Sequence, residues 1–292
     1  MDSVVLDDNE PSLLSFGLEI IIYLTIGLVI LLIAPSFIIY PGIYMGRYKS
    51  RGPIFELETK DNAKIEGMIF EPDNPETCDL TILFFHGNTG NMGSRVEFLK
   101  NLNETLNAYI LSIDYRGFGN NSGFPSESGL INDAESIFDS IVNDERMKDT
   151  KKLVYGRSLG GAVAIALAEK LKDCKNPKGC IDGLILENTF TSTRCMADSM
   201  PLFKKFPGFI IDIGLSVNSW KSKDRIKDIK IPVLYISGLK DRVVHPKLMK
   251  ELYDSCGSKT KLLLEEAEGE HTNTHLVSDQ YYVYLKKLIK LL

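Results

Sequence analysis

Residues 151–162 read KKLVYGRSLGGA, and the fold turns on how this stretch is read. Leu153, Val154 and Tyr155 make a short apolar run suited to a strand, and residues 161–168 make a small-residue run suited to a helix. Between them lies G-x-S-x-G, residues 156–160, with Ser158 at its centre. A serine on a sharp strand-to-helix turn is held in strained backbone geometry, and its neighbours two residues either side must lack side chains. The N–H groups opening the next helix then face any negative charge that develops at the serine. In that context the motif is a nucleophile elbow. In an ordinary glycine turn it carries no chemistry, so partners for the serine decide the matter.

A serine hydroxyl is a poor nucleophile until a histidine takes its proton and an acid orients that histidine. In folds with this elbow the chain order is serine, acid, histidine. Asp241 lies four residues past an expected strand end, in SGLKDR (237–242), and His271 lies after the last expected strand, in EGEHTN (268–273). Both fall on loops at the carboxyl edge of a parallel sheet, where open α/β folds bind ligands. A turn aspartate, or an ion pair with Arg242, is the competing reading of Asp241, and Glu187 and Asp114 are fallback acids. Among the four histidines, the rival to His271 is His275, which is better placed to start or cap the final helix. His245 precedes Pro246 at a helix start, and His86 precedes the serine, against the usual order. The oxyanion hole needs two backbone donors, one just after the nucleophile and one on the loop after the third strand. Here these are the N–H groups of Leu159 and Asn88.

The rest of the chain agrees with an α/β fold. From Pro53 onward short apolar runs alternate with helical patterns, the signature of βαβ units on a mostly parallel sheet with helices on both faces. Residues 54–59 and 64–70 read as a hairpin around Asp61-Asn62; residues 81–85, 109–113, 183–186, 232–237 and 261–264 read as further strands. One closing amphipathic helix is expected over 276–292. Residues 188–230 exceed any ordinary αβ connection and are read as a cap or lid insert, rich in Met and aromatic side chains, which either closes over a ligand or merely covers the sheet with ordinary core residues. The α/β domain therefore spans 50–292.

Before it stand a short acidic segment, residues 1–19, and a transmembrane helix, residues 20–42. Residues 20–46 contain no charged side chain, and about 20 apolar residues suffice to cross a bilayer. Pro35 is expected to kink this helix. A cleaved signal peptide fits poorly, because no basic residue precedes the apolar run. Arg47, Lys49 and Arg51 follow the span, so the positive-inside rule places the C-terminal domain in the cytosol. Sequons at Asn103 and Asn120 would point to the lumen if used.

Composition closes off other classes. A net charge of −5 in 292 residues offers no footprint for nucleic acid. Five scattered cysteines without a C-x-x-C pair fit free thiols in a reducing compartment. The glycines of residues 87–93 are spaced G-x-x-G-x-x-G rather than as a dinucleotide fingerprint. With no Walker motif and no metal-ligand cluster, neither cofactor nor metal is expected.

The ordered set FFHGNTGNMG (84–93), DYRGFG (114–119), YGRSLGGAVAIALA (155–168), ENTF (187–190), ISGLKDRVV (236–244) and GEHTNT (269–274) resembles the α/β-hydrolase superfamily. Together with the N-terminal span, it is similar to the membrane-anchored serine hydrolases of that superfamily. The resemblance covers residues 53–292 and implies that Ser158, Asp241 and His271 are nucleophile, acid and base. It implies a single-pass protein of the endoplasmic reticulum or another endomembrane that cleaves an ester or thioester of an apolar acyl group, on a lipid or a lipidated protein. Some such relatives remove palmitoyl groups from proteins but anchor through an N-terminal cysteine cluster. This chain has no cysteine before Cys78, so its anchor must be the span. Relatives with one N-terminal span are often taken to hold the domain in the lumen, against the basic flank here. A lysophospholipase or peptidase with the same triad, and a non-catalytic membrane-tethered scaffold, are the alternatives.

Overall fold

The structure, a computed structural model, describes residues 13–44, 54–201 and 203–292. The acidic segment before residue 13 and the basic flank Arg47, Lys49 and Arg51 lie outside the described residues. The apolar runs become eight strands: β1 (Ile54–Glu58), β2 (Lys64–Phe70), β3 (Leu80–Phe85), β4 (Tyr109–Ile113), β5 (Lys151–Arg157), β6 (Gly183–Glu187), β7 (Val233–Gly238) and β8 (Lys261–Glu266). They form one sheet in the order β1-β2-β4-β3-β5-β6-β7-β8. The first two make an antiparallel hairpin that turns through Asn62 in the left-handed region (φ 61°). β2 also runs antiparallel to β4, and every later pair is parallel.

Ten helices are described: α1 (Leu13–Ile39), α2 (Val96–Leu106), α3 (Glu127–Asn143), α4 (Leu159–Lys170), α5 (Thr193–Ser199), α6 (Gly208–Leu215), α7 (Ser222–Arg225), α8 (Pro246–Ser255), α9 (Thr274–Val277) and α10 (Tyr281–Ile289). Because strand side chains alternate between faces, the central strands feed two separate cores. Leu83, Val154, Leu184 and Tyr235 pack with α3, α4 and α8 on one face. Ile82, Tyr155, Ile185 and Leu234 pack with α2 and α10 on the other. The helices that follow the neighbouring strands β3 and β5 thus leave toward opposite faces. That divergence opens a crevice at the carboxyl ends of the two strands.

Two expectations need correction. The single closing helix is two, α9 and α10, separated at residues 278–280. Leu276 and Val277 stay exposed, and the core-facing stripe begins only at Tyr281 and continues through Leu285 and Leu288. The free-thiol reading also fails at one place, since Cys174 and Cys180 are paired, their Cα atoms 5.8 Å apart. The turn after α4, closed by a short 3-10 segment at Pro177–Gly179, folds the two cysteines together, which their spacing alone did not reveal. Cys78, Cys195 and Cys256 are free.

Helix α1 is continuous through Pro35 and contains a stretch, Ile20–Ile39, long and apolar enough to cross a membrane. Its C-terminal end is fastened to the domain by a buried polar network. Asn218 Nδ2 donates to Ser36 Oγ (2.9 Å), Tyr40 Oη donates to Asn218 Oδ1 (2.8 Å), and Trp220 Nε1 donates to Tyr40 Oη (2.9 Å). Glu127 joins by accepting from the Trp220 N–H (2.7 Å) and from Arg225 Nη2 (2.7 Å). The buried polar side-chain atoms of Ser36, Tyr40, Asn218, Trp220 and Glu127 are thereby matched, which is the condition for burying them at all.

The two-sided core makes a simple contrast. Leu285→Ala, at a fully buried position, is expected to cost about 2–5 kcal/mol. Val283→Ala, two residues away and 53% exposed, should change stability by no more than about 0.5 kcal/mol. Denaturant unfolding of the two variants in detergent checks this.

Candidate active site

The site is built from strand ends. β3 and β5 pair in register up to Phe85 and Gly156, so the loop after β3 and the turn after β5 are neighbours. Ser158 sits in that turn with φ 56° and ψ −121°, a conformation that costs a non-glycine residue about 1–3 kcal/mol unless its surroundings hold it. They do hold it. The Ser158 N–H donates to the Glu187 carbonyl (2.9 Å), and the Ser158 carbonyl accepts from the Gly161 N–H (2.9 Å) and from Thr189 Oγ1 (2.7 Å). The flanking glycines are required by contact: a Cβ on Gly156 would collide with the Gly160 carbonyl, and one on Gly160 with the Phe85 carbonyl.

Asp241 and His271 meet as expected. His271 Nδ1 lies 2.7 Å from Asp241 Oδ2, and the other carboxylate oxygen accepts from the backbone N–H groups of Val243 (2.8 Å) and Val244 (2.9 Å). Those bonds orient Asp241 before any histidine is considered. The rival His275 lies in α9 beside Phe98, the ring centroids 4.7 Å apart. Burial, reinforced by the nearby Arg157 charge, pushes its pKa down to about 4. The cap of α9 is Asn273, not His275. His245 caps α8, accepting from the Lys247 N–H at 3.1 Å.

The fallback acids have other work. Asp114 Oδ1 lies 3.1 Å from His86 Nε2 and accepts from the Met92 N–H (2.7 Å). The His86 carbonyl accepts from Tyr115 Oη (2.9 Å), so this buried group shapes the loop that carries Asn88. Glu187 is fully buried and accepts from Arg157 Nε (2.8 Å) and from the Tyr155 hydroxyl. The residues immediately before Ser158 and Asn188 are thus tied across the paired ends of β5 and β6.

The N–H groups of Asn88 and Leu159 have no acceptor among the described residues. Both residues line a cavity of about 320 Å³ together with Ser158. Asn88 is held by the last residue of α1 and by the chain that follows it. Its carbonyl accepts from the Gly42 N–H (3.1 Å), and its Nδ2 donates to the Ile39 carbonyl (3.3 Å). Ile38 and Ile39 of α1 also line the cavity, opposite Met196, Met200 and Phe203 of the insert.

Asn188 is the residue that sequence reasoning passed over. It takes a left-handed conformation (φ 46°). Its Nδ2 donates to the carbonyls of Glu270 and His271 (both 3.0 Å), and its Oδ1 accepts from the Gly238 N–H (2.8 Å). One side chain therefore joins the loops after β6, β7 and β8. The available signal was an asparagine directly after a strand, where left-handed backbone is tolerated.

Residues 77–213 match the hydrolase family described as serine aminopeptidase, S33. The chain is 38% identical over 229 residues to protein bem46 of Schizosaccharomyces pombe, covering 78% of this chain and 73% of that protein. The chain belongs to the α/β-hydrolase superfamily. This hydrolase is also 37% identical over 182 residues to lysophosphatidylserine lipase ABHD12 of Xenopus tropicalis, an alignment that covers 59% of the chain and 46% of that protein. In fold it is similar to an esterase of Pyrococcus furiosus, with a TM-score of 0.64 at 20% identity over 84% of this chain and 95% of that one.

The buried Arg157–Glu187 pair yields a stability test for the hydrolase. Glu187→Ala strands a guanidinium that is almost completely buried and should destabilise the protein by about 3–5 kcal/mol. Thermal unfolding measures the loss; a change below about 1 kcal/mol would mean that water reaches Arg157.

Proposed function

We propose that this protein is a membrane-anchored serine hydrolase that cleaves an ester of an apolar acyl group through an acyl-enzyme intermediate. The observation that carries the proposal is the oriented Asp241–His271 pair on the same sheet edge as the strained Ser158 turn. In the proposed reaction Ser158 Oγ attacks the acyl carbonyl while His271 accepts its proton, and Asp241 holds the imidazole tautomer and stabilises the imidazolium. The Asn88 and Leu159 N–H groups receive the oxyanion. Collapse of the tetrahedral species returns the proton to the leaving alcohol, and water then releases the acid by the same path in reverse.

The apolar wall of the cavity supports a hydrocarbon acyl part. The similarity to a lysophosphatidylserine lipase favours a lipid ester over a palmitoyl-protein thioester, whose hydrolysis would use the same residues. The triad argues against a scaffold.

For orientation the proposal follows the basic flank and puts the domain in the cytosol. Neither sequon offers a free asparagine: Asn103 is buried with Nδ2 donating to the Ala108 carbonyl (2.8 Å), and Asn120 Nδ2 donates to Glu66 (2.9 Å). The Cys174–Cys180 pairing is the observation that counts against the cytosol, where thiols are kept reduced. An endomembrane of the secretory pathway is the proposed site.

A fluorophosphonate probe should label the wild type and leave Ser158→Ala unlabelled, with ester turnover lower by at least about a thousandfold in the variant. A folded wild type that takes no label would refute the hydrolase. In sealed microsomes, added protease should digest the domain; protection would reverse the orientation.

A further inference from the structure

Below the cavity that holds Ser158 lies a second space, a groove of about 470 Å³ between α1 and the insert. Every residue along it is apolar or glycine, with Ile30 and Leu31 from α1 facing Phe206, Ile210 and Ile211 from the insert. The two spaces share walls: Ile38, Phe203 and Leu215 line both. The groove follows α1 from Gly27 to Ile38, about 16 Å of helix axis at 1.5 Å per residue. That run falls within the stretch Ile20–Ile39, which is long and apolar enough to cross a membrane.

We propose that the enzyme receives its substrate sideways from the bilayer, with one acyl chain of a membrane lipid lying in the groove between α1 and α6 and its ester reaching Ser158. The inference rests on the hydrolase reading of Ser158 and adds the source of the substrate and its path. If α1 spans the bilayer, α6 packed against it lies at hydrocarbon depth too, and the surface of the insert agrees. Phe206, Phe209, Ile213 and Val217 are all exposed by 40% or more, an apolar face that water would not favour. Asp212, the one charged side chain of α6, is paired with Arg194, which also binds Asp198 at 2.9 Å. A lipid acyl chain is the occupant that this lining accepts. No hydrogen-bonding side chain faces the groove, so a peptide backbone or a headgroup placed there would be left unpaired. Ser158, Asn88 and Leu159 line the adjoining cavity, which shares Ile38, Phe203 and Leu215 with the groove, so an ester carried past those shared walls meets the hydroxyl and the two N–H groups.

Gly27 provides the test, because a Cβ added there meets no atom within 4 Å. Gly27→Phe should therefore fill the far end of the groove rather than disturb packing. The full chain is reconstituted in phosphatidylcholine vesicles and supplied with palmitoyl and butyryl esters of one headgroup. The ratio of palmitoyl to butyryl kcat/KM should fall about tenfold in the variant, a size typical of apolar-pocket discrimination. An unchanged ratio overturns the path. A second variant reads depth without turnover. Trp220 is the single tryptophan and is fully buried, so the emission added by Phe209→Trp reports on α6. Brominated acyl chains should quench that added emission; unquenched emission places the insert in water and overturns the path. Fluorophosphonate labelling of the wild type separates the two levels. A labelled enzyme that gives either contrary result loses only the bilayer path, whereas an unlabelled one loses the hydrolase reading and the path with it.

Discussion

The backbone of Ser158 is the constraint on which the rest of the site depends. A left-handed serine between a strand and a helix is unfavourable alone, and it persists because the ends of three adjacent strands close around it. β3 supplies the carbonyl that leaves no room for a side chain at Gly160, and β6 supplies the carbonyl that fixes the Ser158 N–H. The same closeness aims the first N–H of α4 and the loop after β3 at one point. Strain and preorganisation are here two views of one arrangement, since the contacts that impose the turn also fix the Leu159 and Asn88 N–H groups, the proposed oxyanion donors.

A second layer keeps the loops in place, and it is polar and almost wholly buried. Arg157 and Glu187 tie the ends of β5 and β6, Asn188 ties the loops after β6, β7 and β8, and Asp114 with His86 shapes the Asn88 loop. Buried polar groups of this kind add little net stability when satisfied, and their loss is expensive. Their effect is to permit one loop arrangement and penalise the others.

The junction with α1 links the apolar N-terminal helix to the loop that carries Asn88. Ser36, Tyr40, Asn218, Trp220 and Glu127 form a continuous buried network, and the last residue of α1 and the chain that follows it hold Asn88 on its side chain and its carbonyl. The helix end is therefore part of the cavity wall. Nothing in the apolar run from Ile20 onward indicated this, because the partners lie some 180 residues away in sequence and on an insert without a repeating pattern.

Much of the protein was legible from its residues alone, because local rules govern those parts. Strand periodicity located all eight strands to within a residue or two, the glycines marked the serine turn, and chain order singled out Asp241 and His271 for what the fold brings into a 2.7 Å contact. The length and apolarity of residues 20–39 were equally plain. Other features depend on which distant segments meet, and only the tertiary structure decided them. Glu187 became the partner of Arg157 rather than an acid for histidine, and His275 was buried beside an aromatic ring. Cys174 and Cys180 were brought together by a turn. Asn188 joined three loops, and α1 with α6 enclosed an apolar groove that shares walls with the cavity at Ser158. A sequence pattern records the face a side chain takes in its own element, but a buried polar contact or a shared cavity wall exists only once two elements are packed.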